Sequence, residues 1–326
     1  MDLFNSALGR NISFIRPAYF ILSGFIGFPY MKYYYVFLFF VYIVSVLGNT
    51  AVMAVIYLDH NLRTPKYVAV FNLAFSDLLG STALLPKVLD TFLFNHYYIS
   101  YNDCLAFLFF CFCFISMQAL NLVALSYDRL MAIMFPLHYQ TKVTNRLMLS
   151  LIAFFWLLSV IATLTGAGLL TRLSFCRSVV IDSFFCDHAL IYSLACNDNF
   201  PSIVIGFFLP VLILWFPFVI ILFSYLCIGY TLSKVASVQE RLKAFKTCTA
   251  HLSVVGIYFI PSIIIFGINL EMHQNARIIS LSLTSIIPPM LNPIIYVLQT
   301  QEIKNVILLN HYKINMTGKS ASDNSE

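Results

Sequence analysis

The stretch Ser126–Tyr139 reads S-Y-D-R-L-M-A-I-M-F-P-L-H-Y and places an adjacent acid and base, Asp128 and Arg129, at the end of a long apolar run. That run extends from about residue 105 to residue 125, and roughly 20 apolar residues in a helix cross the ~30 Å hydrocarbon core of a bilayer. The charged pair is therefore expected at a membrane surface. Its position at the end of one of several such runs suggests a switch at a membrane face.

The composition supports a membrane protein. Of the 326 residues, 60% are hydrophobic and 10% are charged, whereas about a quarter of the residues of a soluble domain are charged. Backbone polar groups in lipid must be satisfied within each segment, so spanning runs should be helices. The sequence thus predicts an all-α membrane protein, a bundle of seven transmembrane helices, from apolar runs near residues 33–58, 67–89, 104–127, 147–170, 202–230, 247–268 and 278–298.

A large soluble helical protein is the alternative fold. A soluble surface helix has a polar face opposite its apolar stripe, but Val36–Ile56 and Phe207–Leu226 are apolar on all sides. Basic residues then set the orientation, because loops on the cytoplasmic side carry more Lys and Arg. With the N-terminus outside, 12 of the 19 Lys and Arg residues fall inside. We therefore expect an extracellular N-terminus and a cytoplasmic C-terminus.

Three regions follow from this orientation. Residues 1–32 form an extracellular N-terminal tail, residues 33–298 the seven-helix domain, and residues 299–326 a cytoplasmic tail with a short surface helix at 300–309. The outer tail contains a glycosylation sequon at Asn11. Four of the eight cysteines fall on the outer, oxidising side, where two disulfides are expected and three pairings are open: Cys104, Cys176, Cys186 and Cys196.

Polar residues inside the spans are costly and mark functional positions. Asp77 lies midway along the second span, Asn49 in the first and Asn292 in the seventh. A carboxylate and two amides at similar depth are expected to form one hydrogen-bonded cluster, and the presence of a small cation is left open. Such a cluster serves either to hold helices together or as part of a switch, and the two roles are compatible.

Three prolines are expected to kink helices, and the motifs of enzymes, transporters and channels are missing from the sequence. Pro217, Pro261 and Pro293 each remove a helix hydrogen bond and are expected to kink the fifth, sixth and seventh helices. The chain has no HExxH, GxSxG or glycine-rich phosphate loop, so we expect neither enzyme activity nor a cofactor or metal. It also lacks the internal repeats of many transporters and the filter segments of channels.

The combined features resemble the rhodopsin-like G-protein-coupled receptors across all seven spans. The matching residues are Gly48-Asn49, Asp77, Asp128-Arg129, Trp156, Pro217 with Tyr225, Pro261 and N-P-I-I-Y at 292–296. Within that superfamily the chain resembles the odorant receptors. L-R-T-P-K-Y at 62–67 is similar to their L-H-T-P-M-Y, K-A-F-K-T-C-T-A-H at 243–251 to K-A-F-S-T-C-x-S-H, and P-M-L-N-P-I-I-Y at 289–296 is identical. The ending Q-T-Q-E-I-K resembles the fish-type branch.

This resemblance implies pairings, partners and a mechanism. It implies disulfides joining Cys104 to Cys186 and Cys176 to Cys196, and coupling to a stimulatory, olfactory-type heterotrimeric G protein that raises cyclic AMP. In the quiet state Asp128 would hold Arg129, and a ligand in the outer half would favour a state in which the sixth helix swings out at Pro261. The residues implied in this switch are Asp128, Arg129, Tyr225, Asn292, Pro293 and Tyr296.

Four positions depart from the family pattern, and all lie on the cytoplasmic side. Leu130 replaces the Tyr of D-R-Y, Arg63 the His of L-H-T-P, Lys66 the Met of P-M-Y, and Lys246 the Ser of A-F-S-T-C. We expect these changes to affect coupling strength or basal activity and to leave the fold unchanged.

The ligand pocket is expected one to three turns below the outer face. The third span has Cys111 at the depth where amine receptors carry a carboxylate, so a small, mostly apolar ligand is expected. Core packing is the alternative role for each lining residue. By helical spacing the candidates are Cys111, Phe112, Ile115, Ser116, Phe207, Pro210, Phe259, Ser262, Ile263 and Phe266.

The sequence therefore predicts an odorant receptor in the plasma membrane of olfactory sensory neurons. Two other hypotheses remain: a rhodopsin-like receptor for a non-odorant small ligand, and a membrane transporter.

Overall fold

Seven long helices form a bundle in the part of the chain that the structure describes. The computed structural model describes residues 15–27, 30–176, 178–235, 237–268 and 273–299. The predicted sequon at Asn11 and the predicted tail helix at 300–309 lie outside these residues. The seven helices are α1 (Met31–Leu58), α2 (Pro65–Leu93), α3 (Tyr101–Met134), α4 (Asn145–Leu170), α5 (Phe200–Ser233), α6 (Val238–Ile268) and α7 (Gln274–Gln299).

Six of these helices, among the residues described, are long and apolar enough to cross a membrane. The seventh, α6, has 31 residues, and among its described side chains the stretch His251–Ile264 is apolar. The seven-helix bundle expected from the sequence is confirmed.

The helix starts are determined by local chemistry. The hydroxyl of Thr144 accepts a hydrogen bond from the backbone N–H of Leu147 at the start of α4, and Ser100 caps α3 in the same way. Such caps satisfy backbone donors that have no partner within the helix. Pro65 occupies the first turn of α2, where its missing N–H costs nothing.

α3 is the central helix of the bundle. It packs against α2, α4, α5 and α6, while α1 packs against α2 and α7. The buried side chains form two groups. The outer cluster includes Phe20, Tyr35, Phe92, Cys111 and Phe184, and the inner cluster includes Met117, Leu122, Met148, Tyr258 and Phe259.

A small sheet covers the outer end of the bundle. Its central strand β1 (Tyr19–Leu22) pairs antiparallel with β2 (Tyr98–Ser100) and parallel with β3 (Val180–Ile181). Phe20 and Leu22 alternate with more exposed residues and point into the outer cluster, as expected for a strand with one buried face. The segment predicted as a simple outer tail thus forms part of the packed structure.

A π-helical turn interrupts α5 at Val211–Trp215. Pro217 follows directly and cannot donate a backbone hydrogen bond, which favours a local widening of the helix. The kink predicted at Pro217 stays a prediction, and the structure has one wide turn just before that proline.

Candidate functional site

The cytoplasmic end of α3 carries an enclosed ion pair. An Arg129 guanidinium nitrogen lies 3.2 Å from Oδ2 of Asp128, and the two side chains are 15% and 1% exposed. Tyr139, in the short helix Tyr139–Lys142 of the second inner loop, donates its hydroxyl to Asp128 Oδ1 at 2.5 Å. Burial and then this bond to the carboxylate raise the pKa of Tyr139, so the tyrosine remains a proton donor. Both oxygens of Asp128 are thus bound.

A second polar contact joins α5 to α6 near Arg129. The Tyr225 hydroxyl lies 2.7 Å from Nδ1 of His251, and the two rings stack with centroids 5.7 Å apart. The charge of Arg129 acts on both groups and on the buried Tyr296 of α7. Any outward movement of α6 must break the contact between Tyr225 and His251.

The expected polar cluster lies in the centre of the bundle. Asn292 on α7 donates to Asp77 Oδ2 on α2 at 2.7 Å, and Asn49 on α1 donates to the Pro289 carbonyl on α7 at 2.8 Å. Ser45 and Ser81 extend it between α1 and α2, with hydroxyl oxygens 2.9 Å apart. All of these side chains are buried. The cluster joins three helices through hydrogen bonds at one depth.

The candidate pocket residues on α3 divide between the two packed clusters. Cys111 belongs to the outer cluster and Phe112 packs against it. Ile115 packs against the inner cluster. The Ser116 hydroxyl is buried and donates to the Phe112 carbonyl at 2.6 Å. These four residues therefore lie at the level where the outer cluster meets the inner one.

The candidates on α6 approach the same level. Phe259 and Ser262 are both 1% exposed, and Ser262 donates to the Tyr258 carbonyl at 2.8 Å. Tyr258 itself donates to the Ile115 carbonyl at 2.8 Å, so it joins α6 to α3 at this depth. Ile263 packs beside the inner cluster. The side chain of Phe266 is outside the part of the chain that is described.

One predicted pocket residue faces the wrong way. Phe207 is 67% exposed on the outer surface of α5 and does not face the bundle interior. The inward side of that helix is occupied by Ser202 and, beyond the π-helical turn, by Pro217. Helical spacing alone gave the wrong rotation for α5 because an apolar residue suits lipid as well as core.

The second outer loop closes the outer end of the bundle. Cys104 at the start of α3 is bonded to Cys186, and Cys176 is bonded to Cys196 within the loop. Asp187, next to Cys186, forms an ion pair of 2.7 Å with Arg277 on α7. The loop is therefore fixed to two opposite helices.

His188 follows in the loop, between α4 and α5. Its ring lies close to Gly166 on α4 and Gly206 on α5 and 5.4 Å from the ring of Tyr192. Burial lowers the pKa of His188, and the neighbouring Asp187 carboxylate opposes this effect in part. The histidine is therefore held in its neutral form at neutral pH.

Several residues of these sites were not predicted from the sequence. Phe185 of the second outer loop packs against Phe112 with ring centroids 6.1 Å apart, which places it beside the candidate pocket. The polar contacts made by Tyr139, His251 and Tyr258 were also missed. Tyr139 and His251 lie within the motifs quoted above, so the motifs themselves offered a signal. Phe185 and Tyr258 offered none, since their partners are distant in sequence.

Comparisons with known proteins agree on the family. The sequence model of the olfactory receptor family matches residues 38–312. Olfactory receptor 1E16 of Mus musculus is 37% identical over 270 residues, which cover 82% of this chain and 85% of that protein. Olfactory receptor 1 of Rattus norvegicus is 37% identical over 267 residues, with the same coverage.

The fold also matches a solved structure. The crystal structure of squid rhodopsin superposes with a TM-score of 0.67 at 19% identity and covers 89% of this chain and 88% of that one. At this identity the likeness establishes the seven-helix fold alone. Together with the family match it identifies a multi-pass receptor of the cell membrane and not an enzyme. The chain belongs to the olfactory receptor family of the rhodopsin-like G-protein-coupled receptors.

Proposed function

We propose that the protein binds a small, mostly apolar odorant in the outer half of its bundle and activates a stimulatory, olfactory-type G protein that raises cyclic AMP. Family membership implies a small-molecule ligand and a G protein. The ligand chemistry, the G-protein type and the second messenger are the proposed parts, as is expression in olfactory sensory neurons.

The observation that carries the coupling step is the enclosed pair of Arg129 and Asp128. Asp128 is 1% exposed and is bound on both oxygens, by Arg129 and by Tyr139. A partly desolvated pair of this kind is costly to break unless a new partner replaces it. A G protein that presents carbonyl or carboxylate oxygens would supply such a partner once α6 moves away. The pair thus suits a two-state switch whose equilibrium the ligand biases.

The outer half suits a weakly polar ligand. Among the described candidates, Cys111, Phe112, Ile115, Phe259 and Ile263 are apolar side chains that belong to the two packed clusters or pack against them. The hydroxyls of Ser116 and Ser262 already donate to carbonyls of their own helices, so each oxygen is left to accept a hydrogen bond. A ligand with one donor, such as an alcohol, fits this arrangement better than a cationic amine.

The test is a panel of small alcohols, aldehydes and esters on cells that express the full chain, with cyclic AMP as the readout. An agonist should raise cyclic AMP, and Arg129→Ala should reduce the response by roughly 10-fold, within the usual range of coupling energies. Arg146→Ala is the matched control, because Arg146 is an exposed cytoplasmic arginine on α4. It should leave the response unchanged at equal surface expression.

Three outcomes would contradict the proposal. A full cyclic AMP response in the Arg129→Ala variant would remove the ion pair from the coupling step. A ligand-gated current or substrate uptake in cells without G protein would instead support a transporter. Agonists found only among non-odorant ligands, with expression outside olfactory tissue, would favour the alternative receptor.

A further inference from the structure

A groove opens on the membrane-facing side of the bundle near its cytoplasmic end. It has a volume of about 480 Å³ and is bounded by α1, α2, α4 and the first inner loop. Its rim is exposed, with Tyr57 72% and Leu149 56% accessible, while its floor is buried at Ile152.

The lining is apolar along the groove and polar at one end. Val68, Phe71 and Leu149 face the hydrocarbon, whereas Arg63 and Asn145 lie at the cytoplasmic rim. The Asn145 amide donates to the Arg63 carbonyl at 3.0 Å. That bond fixes the backbone of Arg63 against the start of α4, so the side chain of Arg63 starts at the rim of the groove.

The charge at this rim is positive. Arg63 is exposed, and Lys66 lies with its Nζ 4.7 Å from the ring centroid of Tyr67, which lines the groove. The acid of the same loop, Asp59, accepts a hydrogen bond from the backbone N–H of Asn61. Arg63 and Lys66 are also two of the positions where this chain carries a cation in place of the His and Met of the odorant-receptor pattern.

We propose that this groove binds an anionic phospholipid of the cytoplasmic leaflet, with an acyl chain along α2 and α4 and the headgroup phosphate at Arg63. The cytoplasmic leaflet is rich in anionic lipid, and basic pockets between helices on that side hold such headgroups. A guanidinium binds phosphate oxygens in a bidentate manner. A zwitterionic lipid such as phosphatidylcholine also presents a phosphate, but its choline cation offsets the attraction, so an anionic headgroup gains more from the cation at the rim.

The protein carries a reporter for this site. It has two tryptophans, Trp156 and Trp215, and the indole N–H of Trp156 donates to Asn72 Oδ1, a residue that lines the groove, at 3.0 Å. In a Trp215→Phe background, brominated acyl chains in the groove should quench the fluorescence of Trp156. The full chain would be reconstituted in phosphatidylcholine vesicles that contain either brominated phosphatidylserine or brominated phosphatidylcholine with the same chains.

We expect half-quenching at an about fivefold lower mole fraction of brominated phosphatidylserine than of brominated phosphatidylcholine, as one basic side chain near the headgroup would produce. Arg63→Gln should abolish this preference, and Arg63→Lys should retain most of it. Arg146→Gln is the matched control. Arg146 is exposed at the start of α4, which borders the groove, but it does not line the groove.

Three results would overturn the proposal. Equal quenching by the two lipids would mean that the groove accepts acyl chains without regard to headgroup. A preference that persists in Arg63→Gln would place the headgroup elsewhere. An equal loss in Arg63→Gln and Arg146→Gln would reduce the effect to general surface charge. Because Arg63 is exposed, the variant should fold, and surface labelling of the vesicles checks this directly.

Discussion

At the scale of single residues, the ion pair of Arg129 and Asp128 depends on a third side chain. Tyr139 lies eleven residues further along the chain and reaches Asp128 because Pro136–His138 turns the chain back under α3. The sequence indicated the acid and the base. The Tyr139 hydroxyl, which binds the second oxygen of Asp128, was not indicated by the sequence because only the turn of the chain brings it into contact.

Tyr139→Phe tests this third member. Removing the hydroxyl leaves one buried carboxylate oxygen without its donor, and hydrogen bonds to charged groups contribute about 1.5–3 kcal/mol. If the bond exists only in the quiet state, ligand-independent cyclic AMP should rise, by up to about tenfold. Tyr127→Phe is the control, since Tyr127 faces a membrane groove. Unchanged basal signalling in Tyr139→Phe would show that the bond persists in the active state.

Leu130, which replaces the tyrosine of D-R-Y, lies on the outward-facing surface of the bundle. It lines a groove between α3, α4 and α5 together with Val219 and Phe223, and both of those side chains are more than half exposed. The adjacent Arg129 instead acts on α5, α6 and α7 from within the bundle. The departure at Leu130 therefore lies on a different face of α3 from the coupling residues.

We accordingly expect Leu130→Tyr to leave basal and stimulated cyclic AMP within about twofold of the parent, the usual scale of a surface substitution. The ring has room in a groove of about 480 Å³. Dose–response curves at matched surface expression make the measurement. A large gain in coupling would mean that the tyrosine of the family contacts the G protein directly.

At the scale of elements, the second outer loop is held from several sides. Two disulfides, the ion pair of Asp187 with Arg277 and the pairing of β1 with β3 all act on it. The resemblance implied the disulfide pairings, which the structure also contains. The strand pairing and the ion pair arise from residues far apart in sequence, so no local pattern indicated them.

His188 makes the stability of this region depend on pH. Its pKa in the fold is lowered by burial, whereas in the unfolded chain it is about 6.5. The unfolded state therefore binds more protons in this window, and the free energy of unfolding increases with pH. The contribution of neutral His188 to the free energy of unfolding should be complete above pH ~6.5 and should be lost progressively below it. His188→Gln should flatten this part of the profile in thermal unfolding, and an unaltered slope would assign the dependence to other groups.

At the scale of the whole molecule, two polar networks hold the bundle together, one buried and one partly buried. One joins α1, α2 and α7 through Asn49, Asp77 and Asn292. The other joins α2, α3 and α4: Asn72 donates to Asn121 Oδ1 at 2.6 Å and accepts from the Trp156 indole at 3.0 Å. Both lie at helix contacts where a polar group in hydrocarbon has few other partners.

Asn72→Ala should destabilise the protein more than Trp156→Phe, since it removes two interhelical bonds and leaves both partners unsatisfied. Each such bond contributes about 0.6–2 kcal/mol in membrane proteins. A thiol-reactive dye provides the measurement in detergent, because Cys111, Cys113 and Cys248 are free and buried and react on unfolding. Equal unfolding temperatures for the two variants would show that Asn121 finds another partner.

The sequence by itself determined the seven spans, the orientation, the odorant-receptor resemblance and the polar positions at Asn49, Asp77 and Asn292. Hydrophobic length and charge placement are properties of contiguous segments. They determine directly which segments cross a bilayer and in which orientation. The tertiary structure alone decided which face of each helix looks inward. Phe207 is apolar, so it is compatible with a lipid-facing or a buried position. The packing of α5 against the bundle places it on the outward face. The same packing brought Tyr139 to Asp128 and β1 to β3, because such contacts depend on how distant segments meet.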